Sequence, residues 1–274
     1  MLHRLVCLIP ILLTLLPGSM ENSNGKSGLN TQTIMVNENL NRFCLEVFSL
    51  LGSDVPKPDY GVFVKAFTGF LDLKAGNYLS KNMLTIIDFS ISSKFERMWI
   101  IDLNTMKIVH QSLVAHGHNS GDEFACHFSN SPSSHESSLG FYVTGGICYG
   151  IHGMSLILEG MEPGINDNAR EREIVIHGAD YVSNDFVRQY GRLGRSFGCP
   201  SIPLEDHEKI IKMLAGGSCL FIYYPDENYL RSSKLFERAP AENGMNKLIN
   251  ESKVVNSLSD PCSVVSEATD TFFK

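Results

Sequence analysis

The chain alternates between stretches whose apolar residues recur at helical spacing, short apolar runs of strand length, and polar interruptions rich in Gly, Asn and Ser. It opens on an apolar run from Leu5 to Leu16 behind Arg4, which breaks at Pro17-Gly18 and gives way to polar residues. A spanning helix needs roughly 18 or more apolar residues, so this shorter run predicts a secretory signal peptide over residues 1–20, with Cys7 in the removed part and a transmembrane anchor as the alternative. A polar linker over residues 21–33 follows. "IMVNENLNRFCLEVFSLL" then places Ile34, Leu40, Phe43, Leu45, Val47, Phe48 and Leu51 at mixed helical spacing, predicting a helix that Gly52 ends. "PDYGVFVKAFTGFLDLKAGN" predicts a second helix broken by its glycines, and together they make a helical segment over residues 34–82.

From residue 83 the texture changes. "MLTIIDFS", "RMWIIDLNTMKIVHQSLVAHG", "LGFYVTGGICYG", "HGMSLILEG", "REIVIHGAD" and "SCLFIYYP" are short β-branched or aromatic runs parted by turn residues, and they predict strands. "IIDLNTMKIVHQ" predicts a hairpin turning at Asn104-Thr105. "YVSNDFVRQYG" and "LEDHEKIIKMLAGG" predict short helices, the second running from near Pro203 to Gly216. The expectation is a mainly β domain with peripheral helices over residues 83–232. Residues 233–274 show no sustained period and predict a flexible tail or a loosely docked extension.

The formal net charge of −7 argues against nucleic acid or an anionic membrane surface as the main partner. Seven cysteines, six once Cys7 is removed, invite a disulfide reading in an exported protein. Against it, the chain is long enough to bury a core without covalent staples, and no CxxC pair occurs. Cys126, Cys148 and Cys219 stand in apolar runs where a small buried hydrophobe is the default.

Cys199 differs, because "GRLGRSFGCPSIP" sets it in a glycine-rich turn. Gly198 allows a sharp bend in which backbone N–H groups can point outward together, as an oxyanion hole requires. A thiol becomes a useful nucleophile when an imidazole holds it as thiolate. "REIVIHG" brings His177 to the end of an apolar strand, where it is the candidate partner; a surface or hydrogen-bonded histidine is the bland alternative.

"HGADYVSNDFVRQYGRLGRSFGCPSIP" resembles the signature of murein L,D-transpeptidases of the YkuD-like type, in which His-Gly is followed downstream by Ser-x-Gly-Cys. "LTIIDFS", "RMWIIDL", "VAHGHNSGDEFACHFSNSPSSHESSLGFYVTG", "HGMSLILEG" and "GSCLFIYYPD" look like a variant branch of that family found in secreted bacterial proteins, and the resemblance covers most of residues 83–230. It implies a mixed β-sandwich or barrel with Cys199 as nucleophile and His177 as general base. It also implies that the Gly178 carbonyl orients the imidazole, that the Gly198 and Cys199 amides form the oxyanion hole, and that Ser196 braces the turn. The implied substrate is a peptidoglycan tetrapeptide stem, acylating Cys199 with loss of D-alanine and passing to an amine of another stem as a 3→3 cross-link. Transfer to water makes an L,D-carboxypeptidase instead. No cofactor is implied, and the implied location is periplasmic or cell-wall associated, with no membrane span in the mature form.

Two positions depart from the common pattern: Phe197 stands where it has His, and Ser201 where it has Arg. Arg192 and Arg195 are the first candidates to bind stem carboxylates in that arginine's stead, with solvated surface arginines as the alternative. His152 is a candidate for lining the acyl-donor site, or a hydrogen-bonded core residue. Three rival readings stand beside this one. His110, His116, His118 and His127 gather upstream, yet no carboxylate or cysteine sits at zinc spacing, so no metal site is expected. A non-catalytic wall-binding module has no need of the thiol. A disulfide would tie Cys199 to Cys219 or Cys126.

Overall fold

The computed structural model describes residues 31–236 and 238–251. The expected signal peptide, and the linker up to residue 30, lie outside the described residues, as does the tail beyond residue 251. Two helices lead, α1 (Thr31–Leu50) and α2 (Tyr60–Ala75). Strands β1 (Met83–Asp88), β2 (Met98–Asp102), β3 (Lys107–Ser112), β4 (Gly140–Gly150), β5 (Gly153–Gly160) and β6 (Val175–Ala179) follow. Then come α3 (Asn184–Tyr190), β7 (Ser201–Pro203), α4 (His207–Leu214), β8 (Cys219–Tyr223), α5 (Glu227–Ser232) and α6 (Arg238–Glu251).

All eight strands form one sheet in the order β3-β2-β1-β8-β4-β5-β6-β7. β1 and β8 pair in parallel at its centre, and their sequences, Met83–Asp88 and Cys219–Tyr223, are almost wholly buried. A strand covered on both faces reads as a continuous apolar run, which is why these two were plain in the sequence. The edges of the sheet come together: just beyond β3, Ala115 exchanges both backbone hydrogen bonds with Ser201 of β7, at 2.8 and 3.2 Å. This seam makes the sheet a nearly closed barrel, so the mainly β fold class with peripheral helices is the one observed.

β4 is straight only in its first half. Its pairing with β5 slips between Thr144 and Ile147, at Gly145-Gly146, and beyond that bulge the two strands leave the core as a ribbon. Burial stops there too: Tyr149 is 75 % and Ile151 97 % exposed. A bulge bends a ribbon and re-aims its side chains, and this one carries the tip of the hairpin, with His152, back towards the end of β6.

Four local expectations change. α2 is continuous through its glycines; a Cβ at Gly69 would lie 2.1 Å from Phe141 Cζ, so the glycine is a notch that admits a ring from the sheet. α4 starts at His207 and not near Pro203, because Ser201–Pro203 are spent pairing with His177–Ala179, and proline, lacking an N–H, closes that strand at the sheet edge. The helical segment expected over residues 34–82 shares one core with the sheet, with Phe43, Phe63, Phe67 and Phe70 fully or almost fully buried in it. Of the tail expected from residue 233, residues 238–251 form α6, packed along α2. Lys247 Nζ donates to Ala75 O and Asn77 Oδ1 at 2.7 Å each, placing a cation at the carbonyl end of α2. Among the described residues no helix is long and apolar enough to cross a membrane.

Candidate active site

The site is built at the seam. β6 carries Ile176 and His177 into the interior, and β7 runs parallel beside it with Ser201 in register with His177. The connection between them holds α3, capped by Ser183 Oγ on the Phe186 amide and ended by Gly191, and then the turn from Ser196 to Cys199.

That turn is held from four directions. Ser196 Oγ accepts from the Gly198 amide at 3.1 Å and donates to the Cys199 carbonyl at 2.6 Å, closing the loop on itself. Ser196 N donates to His116 O, and His118 N donates to Ser196 O, tying the turn to the "AHGH" strap. Ser137 Oγ donates to Gly198 O at 2.9 Å. Gly198 sits at φ +128°, a conformation that a side chain strains, and a Cβ there would lie 2.9 Å from Glu136 O. Nothing larger fits the bend that presents Cys199.

Cys199 opens into a groove of about 640 Å³, which it lines with His152, Arg170, Arg172, Glu173 and Phe197 among others. Its Sγ accepts from the Val175 amide at 3.5 Å and faces Glu173 O at 3.8 Å. Burial pushes the thiol up from its ordinary value, while the Val175 amide and the Arg172 guanidinium pull the other way. His177 is buried and held below the ordinary imidazole range, chiefly by burial, with His152 and His207 adding to the effect and the Gly178 carbonyl opposing it. Both shifts favour the uncharged forms, the thiol of Cys199 and the imidazole of His177.

Nor do the two side chains touch. His177 Nδ1 meets the Gly178 carbonyl at 3.1 Å, and its Nε2 is taken by Ser201 Oγ at 2.9 Å. The His152 ring lies flat on His177, with centroids 4.1 Å apart and planes 17° from parallel, so His152 is an exposed ring over the site and not a core residue. Of the two amides expected to face an oxyanion, that of Gly198 donates to Ser196 Oγ at 3.1 Å.

Arg192 and Arg195 are elsewhere. Arg195 is paired with Asp122 at 2.7 Å and hydrogen-bonds the carbonyls of His118 and Gly121. Arg192 donates to Leu193 O, and neither lines the groove. The cation that sequence reasoning missed is Arg172, whose guanidinium donates to Ser129 O, Glu136 O, Ser134 Oγ and Ser138 Oγ. All four hydrogen-bond partners are neutral groups, and the Glu136 carboxylate lies close enough to favour the charge. In the sequence it looks like part of the charged run "REREI"; the one signal is its place just before β6, which carries His177 at its middle and not at its end as expected.

The other histidines have separate tasks. His116 is fully buried against Arg97, whose Nη2 is 2.9 Å from its Nδ1, and burial with that cation lowers it to about 3. His118 faces Arg195. Cys126 is exposed and Cys148 half-buried on the groove, so of the three cysteines expected in the core only Cys219 is buried. Cys199 carries a free thiol.

The model of a family described as "L,D-transpeptidase catalytic domain" matches residues 55–223. The chain belongs to this L,D-transpeptidase family. Its match takes in α2 and ends with β8, so the family's domain begins well before residue 83. Solved structures with this fold include an L,D-transpeptidase from Mycobacterium smegmatis, 10 % identical with TM-score 0.32, covering 52 % of this chain and 59 % of that one. The helical cell shape determining protein Pgp2 from Campylobacter jejuni is 15 % identical, TM-score 0.34, over 66 % of this chain and 64 % of that one. An L,D-transpeptidase from Stackebrandtia nassauensis is 11 % identical, TM-score 0.32, over 69 % and 93 %. This chain thus spans less than two thirds of the first two. No curated protein matches it.

Proposed function

We propose that this L,D-transpeptidase family member is an exported peptidoglycan transpeptidase that works through a thioester on Cys199. The observation that carries the reading is the braced Ser196–Cys199 turn, which opens a free thiol into a groove shared with the Arg172 guanidinium, beside the buried His177. A tetrapeptide stem brings carboxylates, and a guanidinium is the group that binds them best.

His177 takes the thiol proton at Nε2 once Ser201 Oγ gives up that nitrogen and Cys199 turns from Glu173 O towards it. Sγ then adds to the carbonyl of the stem's diamino acid, and the oxyanion is met by the Cys199 amide. Collapse breaks the bond to the terminal D-alanine, whose amine leaves with the proton from the imidazolium. An amine of a second stem attacks the thioester, restoring the thiol and giving the 3→3 cross-link. Residues 1–20 act as the signal that exports the chain to the periplasm or the wall.

Incubation with a carbapenem and intact-mass measurement tests the nucleophile: one covalent adduct is expected, absent in Cys199→Ala. An adduct that survives the substitution would sink the assignment. Incubation with purified tetrapeptide stems separates the outcomes of turnover, since a cross-linked dimer supports the transpeptidase and loss of D-alanine without transfer identifies a carboxypeptidase.

A further inference from the structure

Three consecutive peptide units make the nucleophile turn, and two serines hold them. Ser196 Oγ takes the outer two, accepting from the Gly198 amide and donating to the Cys199 carbonyl. The middle unit, Gly198 C=O with Cys199 N–H, falls to Ser137, whose Oγ donates to Gly198 O at 2.9 Å. The direction of that bond is fixed. Ser137 Oγ also lies 3.0 Å from the Gly117 amide, which can only donate, so the one hydroxyl hydrogen belongs to the Gly198 carbonyl.

A peptide unit is planar and trans, so its carbonyl and its N–H point opposite ways. Holding Gly198 O therefore aims the Cys199 N–H. The unit needs holding, because glycine has no Cβ to resist a flip of the peptide that follows it. Among the described residues the Cys199 amide donates to no other residue, and it lies beside its own Sγ. Resting on the reading of Cys199 as the acylated thiol, we propose that Ser137 is a positioning residue: it pins the Gly198–Cys199 peptide so that the Cys199 amide faces the carbonyl under attack.

The hydroxyl is itself firmly placed. Ser137 is completely buried; its amide donates to Ser120 Oγ at 2.9 Å and its carbonyl accepts from the Ser129 amide at 3.0 Å. Arg172 grips the chain on each side of it, at Glu136 O and Ser138 Oγ. Shortly before it, Ser133 and His135 stand at φ of 58° and 56°, a left-handed conformation that persists only where the surroundings over-determine it. An alanine at 137 keeps these backbone ties and releases the peptide.

Two reactions at the same sulfur separate aiming from presentation. In acylation by a carbapenem, Sγ adds to the lactam carbonyl through an oxyanion, the C–N bond breaks, and the nitrogen takes the proton that the thiol gave up. Alkylation by iodoacetamide expels iodide from a saturated carbon and forms no oxyanion. Both rates are measured on the full chain and read at Cys199 by mass after digestion. Ser137→Ala should slow acylation about 10²-fold, the scale of a lost oxyanion donor, with a far smaller change in alkylation. Ser120→Ala loosens Ser137 and leaves its hydroxyl, so it should lower acylation against alkylation by a smaller factor; it decides the matter if Ser137→Ala does not fold. Equal falls in the two rates, or no fall in either, would overturn the proposal alone. Unsubstituted protein that is alkylated at Cys199 and never acylated would break the nucleophile reading and take the proposal with it.

Discussion

The helical layer and the seam are held together by opposite means. α1 and α2 meet through rings: Phe67 stacks on Phe63 and Phe70 at 5.4 and 6.1 Å and tilts against Phe43 at 5.7 Å. At the seam the contacts are backbone amides, serine hydroxyls and one imidazole, with glycine where a bend is needed. Apolar packing is non-directional and tolerates small shifts. Hydrogen bonds specify direction, and in the proposed reaction a thiol, a base and an amide must meet one carbonyl, which takes direction more than buried area.

Substitutions should therefore separate stability from chemistry. The largest effect falls on chemistry: Cys199→Ala should cut turnover by at least about 10³-fold with the unfolding midpoint unchanged, read by muropeptide assay and denaturant titration together. Phe67→Ala should do the reverse, costing about 3–5 kcal/mol of stability while molecules still folded at low temperature form the carbapenem adduct at the normal rate. A matching fall in both quantities would erase the distinction. Gly198→Ala lies between them, since it strains the turn by about 1–3 kcal/mol and should slow adduct formation more than it lowers the midpoint.

Acid should act on the seam side first. His116 and His177 are both held below the 6.5 of a free imidazole, His116 at about 3. As pH falls below about 6.5 the unfolded chain binds these protons before the folded one does, so this contribution is whole above that pH and drains away towards about 3. Urea midpoints should fall between about pH 7.5 and pH 5, and less steeply in His116→Gln. The smallest effect belongs to the helical layer: Lys247→Ala, removing the cation from the carbonyl end of α2, should cost about 0.5–1 kcal/mol by thermal unfolding and leave the adduct rate alone.

The same division explains what could be read from the chain. Helices α1 and α2 and strands β1 and β8 were legible because burial writes a local pattern, a period or an apolar run. So was the Ser196–Cys199 turn, whose glycine and serine lie within a few positions of the thiol. Arg172 and Ser201 were not. Their roles arise where residues distant in sequence come side by side, and locally one looks like a surface charge and the other like a small residue after a proline. Arg192 and Arg195 drew notice by nearness to Cys199 in the chain, but the strap that pairs with Ser196 turns them towards Asp122. The C-terminal helix was missed for a related reason: its period is weak, and it is made a helix by its berth along α2.

The Ala115–Ser201 pairing also sets an order of events. Contacts between segments so far apart in sequence close late, after local structure has formed. On the proposed reading, Cys199 and His177 should come into register only as this seam closes, and a chain caught before it should be acylated no faster than a free thiol. In a denaturant series, amide protection at Ala115 and Cys199 acylation should disappear at the same concentration.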